Sequence, residues 1–288
     1  MSDVTRRELL GAAALTATGA ALPGATLAQT PTAAKSSRLK QSVCRWCYAK
    51  IPLNEFFKAC VEMGLPAVDL LTEEEWIIAK RDFGLSCSTG FPSVRSIPDG
   101  INNTKFHDGI VASLTEMIPK AAKAGIPNVI TFFGNRRGQD IEEAKVNSVA
   151  CLNRIKPIAE AEGVTVIVEL LNSKVNHKDY IGDNTPYGVD ICKRVGSPRV
   201  KLLYDIYHMQ IMEGDILRTM GDNWDYIAHL HTGGVPGRNE LDDTQELQWK
   251  TIATWVADKG YQGYFAHEFI PKRDPLTSLR EAVQLCNV

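Results

Sequence analysis

The sequence has no long hydrophobic run, little cysteine and almost no excess of charge of either sign. Its 288 residues include seven cysteines, too few for a fold that depends on disulfide bonds. Lys plus Arg number 32 against 34 for Asp plus Glu, so the net charge is −2. This balance gives no basic surface for nucleic acid or for an anionic membrane. The hydrophobic content of 44 % is nevertheless sufficient for a large core, which argues against disorder.

The first 28 residues have the pattern of an export signal. Arg6 and Arg7 precede a run of mostly small, apolar residues at 11–22, and small residues follow where a signal peptidase would cleave. This run is shorter than the roughly 20 residues of a membrane span. An amphipathic first helix is the alternative, although the run shows no polar face. We expect a twin-arginine signal peptide over 1–28, a polar linker over 29–40, and an exported or periplasmic protein without a membrane anchor after processing.

From residue 41 onward, short apolar runs alternate with longer segments of helical periodicity. The eight runs predicted to be strands are 41–47, 67–71, 85–89, 128–133, 164–170, 200–205, 227–231 and 263–268. Eight strand–helix units in about 250 residues are typical of a (β/α)₈ barrel. The alternative is an open doubly wound sheet, but no Gly-x-Gly-x-x-Gly follows the first run. We predict an α/β fold with a single (β/α)₈ TIM barrel over 41–288.

Four consecutive runs in the second half of the chain end in an acid or a histidine. These residues are Glu169, Asp205, His231 and Glu268. Because the C-terminal strand ends of a parallel barrel share one rim, we expect the four side chains to lie together. Three carboxylates and one imidazole suit one divalent ion, with Mn²⁺, Mg²⁺ or Co²⁺ favoured and Zn²⁺ as an alternative. Any one of the four, taken alone, could equally be a helix cap or an ion-pair partner.

Three other residues are candidates for contact with a substrate. His208 follows Asp205 by three positions, and Arg238 ends the glycine-rich segment 233–238. An arginine on such a loop can reach back over a site and bind a carboxylate through two hydrogen bonds. Each could instead be an ordinary polar residue of the surface. Trp46, at the end of the first run, could form the wall of a small-substrate pocket or pack in the helix layer.

Other motifs are interpreted as structural. His267 should point away from Glu268, because neighbouring residues of a strand face opposite sides. His229 is expected to support the site from one layer deeper or to belong to the core. Cys44 and Cys47 form a Cys-x-x-Cys motif. We interpret it as a packed pair of thiols, since neither a thioredoxin pattern nor a second pair accompanies it.

The motifs of the second half resemble those of the hydroxypyruvate isomerase group of xylose isomerase-like barrels. The matching segments are 166–172, 204–215, 229–240 and 260–271. The resemblance implies that one divalent ion is bound by Glu169, Asp205, His231 and Glu268. It also implies that the two glutamates are the acid/base pair, and that His208 and Arg238 contact the substrate.

The resemblance implies an isomerase that converts hydroxypyruvate to tartronate semialdehyde, or a similar hydroxy-ketone to its aldehyde. Glutamates would move the proton through a metal-stabilised enediolate. Hydroxypyruvate isomerases can carry glutamine at the position of His231, where ketose epimerases carry histidine. A ketose 3-epimerase or an inosose isomerase is therefore an alternative. The expected partner is a small sugar or hydroxy-keto acid and not nucleic acid, with a homo-oligomer left open.

Two more distant functions fit the sequence less well. A DNA-repair endonuclease of the same superfamily would bind three metal ions and need several more histidines from the early strands. The chain has six histidines, of which only His107 precedes His177. A non-catalytic periplasmic sugar-binding barrel would be expected to have lost an acid or a metal ligand, whereas all four are present.

Overall fold

Nine short parallel strands form the sheets of residues 37–288, the part of the chain that this computed structural model describes. Their bounds are β1 Lys40–Val43, β2 Ala67–Val68, β3 Ser86–Cys87, β4 Thr89–Gly90, β5 Asn128–Phe132, β6 Thr165–Leu170, β7 Val200–Asp205, β8 Ile227–Thr232 and β9 Tyr264–His267. Seven strands pair in the order β1-β9-β8-β7-β6-β5-β4, and β2 pairs with β3. The predicted signal peptide and most of the linker lie outside the described residues.

Isolated bridges join the two sheets into a closed barrel. Cys44 pairs with Asp69 and thereby connects β1 to β2, while Leu71 pairs with Gly90 and connects β2 to β4. β3 and β4 together take the third strand position, with Ser88 between them. The eight strand positions therefore form the predicted (β/α)₈ barrel, and its third strand is broken into two pieces.

Helices follow the strands and cover the barrel. Their bounds are α1 Leu53–Glu62, α2 Glu73–Phe83, α3 His107–Ala124, α4 Ile141–Glu162, α5 Thr185–Val195, α6 Ile206–Met212, α7 Ile216–Asp222, α8 Trp249–Asp258 and α9 Pro275–Leu285. α3 and α4 end at Gly125 and Gly163, whose φ angles of 72° and 69° are left-handed and suit glycine. α6 is a short helix in the connection between β7 and α7. It begins directly after β7 because the side chain of Asp205 caps it by accepting a hydrogen bond from the backbone N of His208 at 3.2 Å.

The first predicted strand is wrong at its C-terminal end. β1 stops at Val43, and Arg45–Tyr48 forms a 3-10 turn instead. The guanidinium of Arg45 stabilises this turn by donating hydrogen bonds to the backbone oxygens of Tyr48 and Ile51, the latter at 2.9 Å. The turn places Trp46 at the barrel rim, while Cys44 stays buried at the strand end.

The strands of the second half are buried on both faces. Val166, Ile167 and Val168 of β6 are all fully buried, as are Leu202 and Leu203 of β7. Such continuous apolar runs are expected of a parallel sheet that helices cover outside and side chains fill inside. The acids of β6 and β7 lie at or next to the ends of these strands. Among residues 37–288, no helix is both long and apolar enough to cross a membrane.

Candidate active site

The rim formed by β6 to β9 brings four side chains together. These are Glu169, Asp205, His231 and Glu268, and the ligand atom that each offers lies within 4.8 Å of the other three. Asp205 and His231 are register partners on β7 and β8. None of the four is more than 5 % exposed. The structure thus places all four where the strand-end pattern predicts them.

The ring of His231 directs its Nδ1 atom toward the three carboxylates. Nδ1 lies 2.7 Å from Oε2 of Glu268, 3.5 Å from Oε1 of Glu169 and 4.0 Å from Oδ2 of Asp205. Three carboxylate oxygens and one imidazole nitrogen that face a common point are a donor set for a divalent ion. The residues present therefore fit the metal that the sequence predicts.

Burial and charge act unequally on the three carboxyl groups. Burial raises the pKa of Asp205 to about 7 and also raises the pKa of Glu169. Burial works in the same direction on Glu268, but the positive charges of Arg238 and His231 outweigh it and lower its pKa. Within the described part of the chain, Arg238 is the only arginine or lysine that pairs with these carboxylates. A divalent cation would complete the charge balance of the cluster.

Arg238 reaches the carboxylates from the glycine-rich loop after β8. Its Nη2 atom donates hydrogen bonds to Oδ2 of Asp205 at 2.9 Å and to Oε2 of Glu268. The loop can fold back only because Gly234 lacks a side chain, since a Cβ there would lie 2.2 Å from the backbone oxygen of Glu240. Arg238 is 8 % exposed, so the alternative of a surface arginine is wrong.

His208 lies beneath Arg238 and is fully buried, so it is not an ordinary surface residue. Its Nδ1 atom accepts a hydrogen bond from the backbone N of Asn172 at 3.1 Å, and its Nε2 atom lies 2.9 Å from Nη1 of Arg238. Burial and the charge of Arg238 lower the pKa of His208 well below its ordinary value. His208 is therefore a neutral group that can exchange hydrogen bonds near the carboxylates.

Trp46 borders the site and remains 43 % exposed. Its Nε1 atom donates a hydrogen bond to Oε1 of Glu268 at 2.6 Å. The guanidinium carbon of Arg238 lies 5.5 Å from the Trp46 ring centroid and 5.2 Å from that of Tyr207, so both rings hold the cation. The alternative that Trp46 packs in the helix layer is wrong.

A family model described as the xylose isomerase-like TIM barrel matches residues 57–287. The chain belongs to this family. The match covers all four donors, His208 and Arg238. It leaves out Trp46, which precedes it in the chain.

Within the xylose isomerase-like family, relatives with isomerase names match most of the chain. A Xenopus laevis relative with a provisional hydroxypyruvate isomerase name is 31 % identical over 252 residues, which cover 86 % of each chain. The hydroxypyruvate isomerase of Escherichia coli K12 is 26 % identical over 221 residues, or 75 % of each chain. The protein is thus an enzyme of the isomerase class, similar to hydroxypyruvate isomerases.

The family fold is also evident in solved structures. The apo crystal structure of 3-keto-D-glucoside 4-epimerase from E. coli superposes with a TM-score of 0.72 and 18 % identity. It covers 86 % of this chain and 98 % of its own. At this identity the likeness shows the barrel fold alone.

Asp69 is a residue of the family barrel that the sequence analysis missed at the site. Its Oδ2 atom lies 2.8 Å from Nε2 of His231 and 3.0 Å from Nε2 of His229, and all three residues are fully buried. Asp69 directly follows β2, so the strand-end pattern does point to it. The sequence does not mark Asp69 as the end of a strand, because Leu70 and Leu71 continue the apolar run beyond it.

His267 and the Cys-x-x-Cys motif, both interpreted as structural, differ in their relation to the site. His267 lies outside the four-donor group and places its Nε2 atom 2.8 Å from Oε1 of Gln41, in the direction that strand alternation predicts. Cys44 and Cys47 are free thiols. The Sγ atom of Cys44 lies 3.7 Å from Nε2 of His231, so this thiol contacts the site.

Proposed function

We propose that the protein is a divalent-metal-dependent isomerase of a small hydroxy-2-oxo acid, of the hydroxypyruvate to tartronate semialdehyde type. The observation that carries this proposal is the placement of Glu169 and Glu268. These two buried carboxylates come from different strands and approach the same atom, Nδ1 of His231, at 3.5 and 2.7 Å. An isomerase that moves a proton between adjacent carbons needs one group to accept it and one to return it.

The ion would be held by carboxylate oxygens of Glu169, Asp205 and Glu268 and by Nδ1 of His231. The oxygen-rich set suits Mn²⁺, Mg²⁺ or Co²⁺, and the imidazole also admits Zn²⁺. When bound, a divalent ion supplies positive charge that stabilises negative charge developing on neighbouring carbonyl and hydroxyl oxygens. The remaining work falls to the residues of the chain.

Glu268 is suited to accept the proton and Glu169 to return it. The positive charge of Arg238 lowers the pKa of Glu268, which keeps this carboxylate ionised and able to act as a base. Burial raises the pKa of Glu169, which makes its protonated form easier to reach. Trp46 and Arg238 each bind one oxygen of Glu268 and fix the orientation of its carboxylate.

Arg238 and His208 would bind the substrate beside the two glutamates. The planar guanidinium suits a carboxylate, and His208 can pair with a hydroxyl or carbonyl oxygen. Several relatives are named as isomerases of 2-oxo acids, and these names support a substrate with a carboxylate. Besides the hydroxypyruvate isomerases, a 2-oxo-tetronate isomerase of Pectobacterium atrosepticum matches 78 % of this chain and 89 % of its own at 21 % identity.

A ketose 3-epimerase is the second candidate. The D-psicose 3-epimerase of Ruminiclostridium cellulolyticum is 36 % identical over 123 residues, but these cover only 40 % of this chain and 38 % of its own. His231, in place of glutamine, also favours this candidate. The shorter match ranks it below the hydroxy-2-oxo acid isomerase.

Proton NMR in D₂O tests the proposal directly. The Mn²⁺-loaded protein is incubated with hydroxypyruvate or with a panel of ketoses and inososes, and the ion is removed by chelation before spectra are taken. We expect tartronate semialdehyde carrying deuterium at carbon 2, because a proton returned from solvent labels that position. Protein stripped of metal before incubation should form none. Exchange at carbon 3 of a ketose without turnover of hydroxypyruvate would instead support the second candidate, and no exchange with any compound would contradict both.

We also propose that residues 1–28 export the protein by the twin-arginine route, on the strength of the arginine pair and the apolar run. Arg6→Lys combined with Arg7→Lys should leave the protein in the cytoplasm with its signal attached, because the receptor reads the arginines. Cell fractionation and immunoblotting measure both location and size. Arg38→Lys, outside the signal, is the matched control and should be exported normally. Periplasmic recovery of the double variant would indicate the general secretion route.

A further inference from the structure

Asp69 lies behind His231, on the side of the ring away from the carboxylate cluster. We propose that Asp69 is a positioning residue that holds His231 with its proton on Nε2 and its Nδ1 lone pair directed at the ion, and that the negative charge of Asp69 strengthens ion binding. This inference rests on the proposed function, because it concerns the same ion. It extends the site to a strand, β2, that contributes none of the four donors.

The contacts of His231 assign its two ring nitrogens different roles. Nε2 lies 2.8 Å from Oδ2 of Asp69, and an ionised carboxylate can only accept a hydrogen bond. Nε2 of His231 therefore carries a proton, and a divalent ion that replaces the proton on Nδ1 would be bound by the lone pair of that atom. Nδ1 is the atom that faces Glu169 and Glu268. A ring flipped by half a turn would lose both contacts.

The carboxylate of Asp69 is itself held in place by donors on several strands. Nε2 of His229 lies 3.0 Å from the same Oδ2 atom, and the hydroxyl of Ser88 donates to Oδ1. The thiol of Cys44 lies 3.5 Å from Oδ2. Nδ1 of His229 is buried without a hydrogen-bond partner among the described residues, so its proton belongs on Nε2, where it bonds to Asp69. Asp69 therefore has little freedom to turn away from His231.

The break in the third barrel strand contributes to this arrangement. Ser88 lies between β3 and β4 and is fully buried. Its Oγ atom also lies 3.0 Å from Oγ of Ser42 on β1. The network thus connects β1, the third strand position and β8 around one carboxylate. Outer partners of this kind orient a ligating histidine and raise its basicity, and their loss typically weakens metal binding by about 10–100-fold.

Calorimetric titration with Mn²⁺ tests the role of Asp69. The wild-type protein should bind one ion per chain, and Asp69→Asn should bind it about 10–100-fold more weakly, because asparagine keeps the size but not the charge. Gln41→Leu is the matched control, since it removes the buried acceptor 2.8 Å from Nε2 of His267, outside the donor group. This control should lower the melting temperature but leave Mn²⁺ affinity unchanged.

A second measurement needs no substitution. In the Zn²⁺-loaded wild-type protein with ¹⁵N-labelled histidine, NMR should show one ring with Nδ1 bound to metal and Nε2 protonated. Zn²⁺ bound through Nε2, wild-type affinity in Asp69→Asn, or a second ion held by Asp69 would each overturn the positioning role alone. A wild-type protein that binds no divalent ion would overturn this role together with the proposed function.

Discussion

Glu268→Gln should lower turnover of the Mn²⁺-loaded enzyme by about 10²–10⁴-fold, the usual contribution of a general acid or base. Glutamine keeps the size of the side chain and one acceptor oxygen but cannot take a proton. Trp46 can still donate its hydrogen bond to that oxygen, but the hydrogen bond from Arg238 to Oε2 is lost because an amide nitrogen cannot accept it. Turnover is measured in excess Mn²⁺, with bound metal quantified in the same sample to separate lost proton transfer from lost metal.

Glu169→Gln should cause a loss of the same order, and isotope exchange can then separate the two roles. If Glu268 accepts the proton and Glu169 returns it, Glu169→Gln should still exchange substrate hydrogen with D₂O while failing to complete isomerisation. Glu240→Gln is the control for both variants. Glu240 is a buried carboxylate that accepts hydrogen bonds from the backbone N atoms of Lys272 and Arg273, away from the donors.

Near-normal turnover in either glutamine variant, with metal bound, would contradict that residue's proposed part in proton transfer. The glutamate concerned would then be a metal ligand only. His208 would be the first candidate to replace it, because it is buried beside Arg238 and its lowered pKa leaves it neutral. Substitution of His208 would then be expected to lower turnover.

Asp205→Ala should abolish metal loading, with an affinity loss greater than the roughly 100-fold upper value for outer partners. Asp205 is fully buried and offers one of the four ligand atoms, but it has no part in the proposed proton transfer. Loss of metal can therefore be interpreted without the ambiguity of the glutamates. Metal analysis after Mn²⁺ loading and dialysis measures the stoichiometry.

The Asp205 variant also loses a helix cap, which needs its own control. The side chain caps α6, and removal of a cap typically costs about 1 kcal/mol of stability. Because the hydrogen bond from Arg238 to Asp205 is lost as well, thermal unfolding should show a fall larger than that of a lost cap alone, but short of loss of the fold. Glu240→Gln again serves as the control and should keep its metal. An unchanged stoichiometry in Asp205→Ala would remove the four-donor site.

Most of the four candidate donors could be predicted because the strands that carry them are longer than those of the first half of the barrel. β6, β7 and β8 each have six residues, and an acid or a histidine occupies the last or last-but-one position of each after a mostly apolar sequence. Glu169, Asp205 and His231 are recognisable for that reason. Because the C-terminal strand ends of a parallel barrel meet at one rim, the sequence also predicts that these side chains lie together.

The first half of the barrel gave a weaker signal for a physical reason. β2, β3 and β4 have two residues each, too few to show a period or an end. Asp69 was therefore assigned to the interior of a strand. Tertiary contacts also determine where the short helix α6 forms, because its seven residues are too few to show helical periodicity in the sequence. The hydrogen bond from the backbone N of His208 to Asp205 marks the start of this helix only once the fold is known.

The pairing of β1 with β9 has a consequence for the order in which the molecule is made. The two strands align from Lys40 with Tyr264 to Val43 with His267, and they are the first and last strands of the described chain. The ribosome synthesises β1 before β9, so one edge of β1 stays unpaired until the whole intervening chain has been made. Glu268 follows β9 directly and reaches the rim only when this seam closes. Metal capture is therefore expected to be among the last events in the maturation of the protein.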